Sequence, residues 1–174
     1  MSRSAETKLS LIQGDHIISA DESVVISTIL GSCVAACMRD PVAGVGGMNH
    51  FLLPGRDDSE GVQYGAYAME VLINGLLTRG ARRERLEAKL FGGGRMLSGL
   101  TDIGRQNATF ARQFLRTEGI ACLAESLGGT KARRVLYWPV SGIARQHLLD
   151  AQSSPVVREA PRAPSGGDVE MFAA

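Results

Sequence analysis

Aromatic residues make up only 5% of this 174-residue chain, so any core has to be assembled from Val, Leu, Ile, Ala and Met. An excess of charge of either sign is also missing. The net charge of +1 gives no field to gather nucleic acid or an acidic membrane, and no basic stripe interleaved with aromatics occurs, so nucleic-acid binding is not expected. No run approaches the roughly 20 apolar residues that cross a bilayer, and the opening "MSRSAETKLSLIQGD" lacks the apolar stretch of a secretory signal. Membrane insertion is therefore not expected, and a cytoplasmic location is. Cysteine is scarce and odd in number, three in all, which does not make a disulfide framework and points to thiols in a reducing compartment. No Cys-x-x-Cys pair, no His pair at ligand spacing and no internal repeat is present.

What is present reads as one globular domain over residues 1–150. The composition, 44% hydrophobic and 21% charged, belongs to that class. Residues 24–38, "VVISTILGSCVAACM", form two strand segments meeting at a bend at Gly31-Ser32, and "GGMNHFLL" makes a further strand before Pro54-Gly55 and the polar loop "RDDSEG". Apolar residues at helical spacing predict a helix over 65–79 and a second over 104–118, stopped by Gly80 and Gly119. Asn107 lies along the second helix's buried stripe. Between them, "RLEAKLF" alternates as a strand with Glu87 and Lys89 on a wet face. "IACLAE", "RRVLYW" and "GIARQHLL" supply three more strands, and strands on both sides of two helices predict an α+β fold with mixed or antiparallel sheet. Residues 151–174 carry three of the six prolines and read as a disordered tail.

The chemistry concentrates in "GSCVAACMRDPVAGVGGMNH". Asp40, Pro41 and Gly44 suit a hairpin turn centred near Pro41-Val42, and that centring sets Cys33 directly across from His50. Their Cβ atoms would then be about 4.5 to 5.5 Å apart, within reach of an imidazole nitrogen and a sulfur. On the same strand Cys33 and Cys37 are roughly 13 Å apart, too far to share a zinc ion, so no metal site is expected and Cys37, like Cys122, reads as a small buried hydrophobe. In such a pair His50 stabilises the Cys33 thiolate and later protonates a leaving amine. The bend at Gly31 and Ser32 can aim backbone N–H groups at an attacked carbonyl oxygen. On the preceding strand, Ser27 or Thr28 offers a hydroxyl to orient the imidazole. His16 and His147 have no comparable company.

These stretches, with "LEAKLFGGGRML", "IGRQNATFARQFLRTEGI" and "AESLGGTKARRVLYW", resemble the CheD family, the chemoreceptor glutamine deamidases of bacterial chemotaxis, over about residues 24–140. The resemblance implies a sandwich-like α+β core flanked by two main helices, as in deamidating-toxin cysteine hydrolases. It implies an amidohydrolase that converts glutamine side chains of receptor helices to glutamate through a Cys33 thioester, with His50 as base, Thr28 or Ser27 as the third member and no cofactor. The implied partners are chemoreceptors and a CheC-type phosphatase, and the competing role is a non-catalytic adaptor for either. By the same resemblance, Gly92 to Gly94 and Gly128-Gly129 are loops near the site.

Overall fold

The computed structural model describes residues 5–54, 59–96, 102–150 and 169–172. Among the described residues ten strands and two α-helices follow one another in an α+β order: β1 (Thr7–Ser10), β2 (His16–Ser19), β3 (Val24–Leu30), β4 (Val34–Asp40), β5 (Val45–Asn49), α1 (Ser59–Leu77), β6 (Glu87–Gly92), α2 (Ile103–Glu118), β7 (Ala121–Leu127), β8 (Arg133–Tyr137), β9 (Ala144–Leu148) and β10 (Val169–Phe172). They build two mixed five-stranded sheets, β1-β3-β8-β9-β10 and β2-β5-β4-β6-β7, each with one parallel pair, β1 with β3 and β6 with β7. The polar loop expected after Gly55 falls partly outside the described residues, and so does the tail expected over 151–174, of which only 169–172 are described.

Strand β4 shows how the layers arise. Its run "VAACM" is buried at every position, as a central strand with two covered faces must be. Because side chains alternate, Ala35 and Cys37 join Val24, Ile26, Leu30, Met48, Phe91, Val135 and Tyr137 between the two sheets. Val34, Ala36 and Met38 face the other way, onto Met69, Leu72, Ile73 and Leu76 of α1 and Ala111 and Leu115 of α2. The molecule is therefore sheet, sheet, helices. Helix α2 begins where Asp102 accepts a hydrogen bond from the Arg105 N–H at 3.0 Å, and ends at left-handed Gly119.

Several expectations change. The β4–β5 hairpin is shifted by two residues from the predicted register: Cys37 faces Met48, and Val34 bridges to Phe51. The cause is the loop, which runs from Asp40 to Gly44, closes with Gly44 N–H donating to Asp40 O, and is held by the Asp40 carboxylate accepting from the Val42 and Ala43 amides. A shift of two keeps side-chain parity, so Cys33 and His50 remain on one face although they are no longer directly opposed. Lys89 is buried rather than wet: its ammonium donates to the carbonyls of Gly142 and Phe172, both at 2.7 Å. This follows from β10, where an unstructured end was expected; Val169–Phe172 pair antiparallel with β9, and Phe172 stacks edge-on against Phe91 at 5.2 Å. Cys122 is exposed, not core, because β7 edges its sheet and turns it outward. Strands β1 and β2 carry too little hydrophobic alternation to be read in advance.

Asp40 is a fully buried carboxylate. Burial alone would raise its pKa, but the Arg85 guanidinium and the amides of Arg82, Ala43 and Val42 outweigh it and hold the carboxyl well below the usual range. Its stabilising effect is thus present above a carboxylate's ordinary pKa near 3.8 and lost as pH falls below it. Asp40→Ala should lower unfolding stability by about 3 kcal/mol in urea titrations at pH 7, since it strands the loop amides and Arg85 together. A loss of only a few tenths would show that the hairpin loop does not depend on this carboxylate.

Candidate active site

The segment joining β1 to β2, Leu11 to Asp15, touches Ser27, Thr28, Cys33 and His50, all singled out in the sequence. Thr28 projects from the inner face of β3 with Ile26 and Leu30, while Ser27 takes the opposite face, with its carbonyl bonded to Leu11 N–H. The Thr28 hydroxyl donates to Leu11 O at 2.7 Å and lies 2.7 Å from Nδ1 of His50. A hydroxyl has one proton, and Leu11 O has it. The Thr28 oxygen must then accept from His50, so Nδ1 carries the imidazole proton and Nε2 is left with a lone pair. Between the two candidate hydroxyls the geometry therefore puts Thr28, not Ser27, on the ring.

The backbone of His50 is fixed by the same segment: Gly14 N–H donates to His50 O at 2.8 Å and His50 N–H to Asp15 O at 3.2 Å. The thiol of Cys33 in turn donates to the side-chain oxygen of Gln13 at 3.5 Å. Cys33, His50 and Thr28 are all buried, at 9%, 6% and 5% exposure. Burial pushes the Cys33 thiol up to about 11, offset in part by its own backbone N–H, and pushes the His50 imidazole down to about 4. At rest Cys33 is a thiol and His50 a neutral imidazole, where the sequence led us to expect a thiolate stabilised by His50. Desolvation accounts for the difference, because each ion loses more hydration than the site returns.

The bend before Cys33 is held by its carbonyls. Gly31 O accepts from Gly94 N–H at 2.9 Å, Ser32 O from Asn107 Nδ2 at 2.8 Å, and Cys33 O from Gly93 N–H at 2.8 Å. In a trans peptide the N–H points opposite to the C=O, so the Ser32 N–H is turned away from Gly94 and the Cys33 N–H away from Asn107 and α2. Gly92, at φ 111°, allows this approach, since a Cβ there would strike Cys33 O. Its carbonyl takes Gly128 N–H at 2.9 Å, and Arg133 binds the Ser126 and Gly128 carbonyls, so the Gly93-Gly94 loop borders the bend and the Gly128-Gly129 loop is bonded to the end of β6 behind it.

Two residues here were not singled out for the site. Gln13 has no signal in spacing or composition. Asn107 had one: an amide within an apolar helical stripe needs a buried partner. Cys37 is fully buried core, and His16 is exposed on β2. Among the described residues no group of three or more His, Cys, Asp or Glu is placed to hold a metal ion.

The family model described as "CheD chemotactic sensory transduction" matches residues 52–147. A Caulobacter vibrioides protein named "Probable chemoreceptor glutamine deamidase CheD" is 55% identical over 174 residues, spanning 95% of this chain and 93% of its own. A protein of the same name from Agrobacterium fabrum is 50% identical over 184 residues, spanning 99% and 100%. Among solved structures, a Neisseria meningitidis protein described under DUF152 aligns with a TM-score of 0.47 at 12% identity, covering 72% of this chain and 64% of that one.

A neutral resting pair makes alkylation informative. Iodoacetamide labelling of Cys33, followed by peptide mass spectrometry, should accelerate about tenfold per pH unit from 7 to 10, as expected of a thiol titrating far above neutrality. A rate already flat from pH 6 to 9 would reveal a standing thiolate and contradict the neutral pair. The His50 shift also has a stability sign: the unfolded ring protonates near 6.5 and the folded one near 4, so folding stability should fall as pH drops across that window. His50→Gln should flatten that slope.

Proposed function

The chain belongs to the CheD family, and from that membership and the site geometry we propose that it is a chemoreceptor glutamine deamidase whose nucleophile is Cys33. The observation that most supports this reading is the fixed tautomer of His50, with its Nδ1 proton committed to Thr28 and its Nε2 free to take a proton. The Cys33 sulfur attacks the carboxamide carbon of a receptor glutamine while His50 Nε2 removes the thiol proton. The N–H groups at the Gly31-Ser32-Cys33 bend receive the charge developing on the carbonyl oxygen. His50 then returns the proton to the departing nitrogen, ammonia leaves, and a thioester remains. Water, deprotonated by His50, hydrolyses the thioester to glutamate and regenerates the thiol. These steps call for no metal and no organic cofactor.

Starting from neutral partners suits this chemistry. No ion pair has to be broken when substrate displaces water, and the proton moves only as the carbon–sulfur bond forms. The contact of the Gln13 carboxamide with the Cys33 thiol adds support, because the group resting on the sulfur is the group to be hydrolysed. An adaptor without catalysis would have no use for a desolvated histidine with a set tautomer. The likeness to deamidating-toxin cysteine hydrolases, a cytoplasmic location beside receptor helices and a CheC-type phosphatase as second partner belong to the same proposal. Among the described residues no helix is long and apolar enough to cross a membrane.

Purified protein mixed with receptor cytoplasmic fragments should release one ammonia for each glutamine that gains about one dalton, and Cys33→Ala or His50→Ala should abolish release without unfolding the protein. No mass gain with folded protein would sink the reading. Thr28→Val should lower kcat at least about a hundredfold while Thr28→Ser retains most of it and Ser27→Ala changes it less than about twofold. If Ser27→Ala were the damaging change, the orienting hydroxyl would be misassigned.

A further inference from the structure

We propose that Asn107 is the positioning residue that holds the oxyanion-donating peptide at Cys33, an assignment that rests on the deamidase reading. Asn107 lies in the first half of α2 with its side chain completely buried. Both ends of its carboxamide are used. The Oδ1 accepts from Leu53 N–H at 2.9 Å, and Nδ2 donates to Ser32 O at 2.8 Å. The first bond settles the orientation of the second, since a backbone N–H can be met only by the oxygen, which forces the NH2 toward Ser32.

The consequence falls on the peptide plane between Ser32 and Cys33. That bond is trans and planar, so holding its C=O toward α2 turns the Cys33 N–H the opposite way. The Cys33 N–H belongs to the same residue as the nucleophilic sulfur. In the attacked state it is also the donor nearest to the new carbonyl oxyanion. Asn107 touches neither sulfur nor substrate, so it acts through this peptide. Its bond to Leu53 ties the same amide to the chain three residues beyond His50, which couples the nucleophile's bend to the exit from the base.

The feature is chosen against packing. An amide within an apolar stripe is unfavourable unless both its polar atoms are met, and Leu would fill the volume without that requirement. Gly104, one turn earlier, carries the same logic: a Cβ there would strike the Gly94 carbonyl, so the helix start is pressed against the loop that caps the bend. Helix α2 is thereby seated so that Asn107 reaches Ser32.

Asn107→Asp is the discriminating variant. It keeps the size and the acceptor for Leu53 N–H but replaces the donor facing Ser32 O with an oxygen. Against a receptor cytoplasmic fragment, kcat should fall roughly a hundredfold with KM within a few-fold, in line with losing one oxyanion donor. Alkylation of Cys33 by iodoacetamide should stay within a few-fold of wild type, because displacement of iodide at saturated carbon develops no oxyanion. Lowering the pH should restore part of the loss relative to wild type, as a protonated carboxyl can again donate to Ser32 O. Asn107→Ser, which removes both bonds without adding charge, serves as the second variant should the first not fold; it should show the same split without the recovery at low pH. Equal loss of deamidation and alkylation in a folded variant, or unchanged kcat, would overturn the assignment. Wild-type protein that releases no ammonia in the parallel assay overturns the deamidase reading, and this assignment with it.

Discussion

The hydroxyl of Thr28 has a single proton, and where that proton goes governs the rest of the site. Leu11 O takes it, so Thr28 can only accept from His50, and the imidazole is left with its basic nitrogen free. The arrangement holds only while water is kept away, because an exposed threonine would exchange partners freely. Leu11, Thr28 and His50 are all buried, and that burial needs two sheets closed face to face. The short β1–β2 connection is thus more than a link. It supplies the proton acceptor, fixes the backbone of His50 and rests Gln13 on the thiol.

The three-layer build explains how so many backbone atoms meet at one bend. Strand β4 is covered on both faces, and its N-terminal end emerges where the sandwich, the glycine loop after β6 and the start of α2 converge. The glycine loop takes the carbonyls of Gly31 and Cys33, and Asn107 of α2 takes that of Ser32. With the carbonyls spoken for, the intervening N–H groups are left facing the other way. That is how a chain without a metal ligand set arranges positive dipoles at a nucleophile.

Much of this was legible in the sequence. The break between two strands at Gly31-Ser32, the burial of Cys37 and both helices follow from periodicity and turn chemistry. The register was off by two because the loop is set by the Asp40 carboxylate capping amides on its far side, which turn preferences alone do not weigh. The choice between Ser27 and Thr28 needs strand parity relative to a second sheet, which no local pattern contains. Lys89 looked wet because its cover, β10, comes from more than seventy residues later in the chain. Strands β1 and β2 are short and half exposed, so the segment that organises the site left the weakest trace.

The most direct measurement is the ¹⁵N resonance pattern of His50 in protein labelled at histidine, recorded at pH 7 without substrate. The expected result is a neutral ring protonated at Nδ1 and bare at Nε2, changed by Thr28→Val and not by Ser27→Ala. A ring protonated at Nε2, or at both nitrogens as an imidazolium, would contradict the account, since neither form offers Cys33 a base.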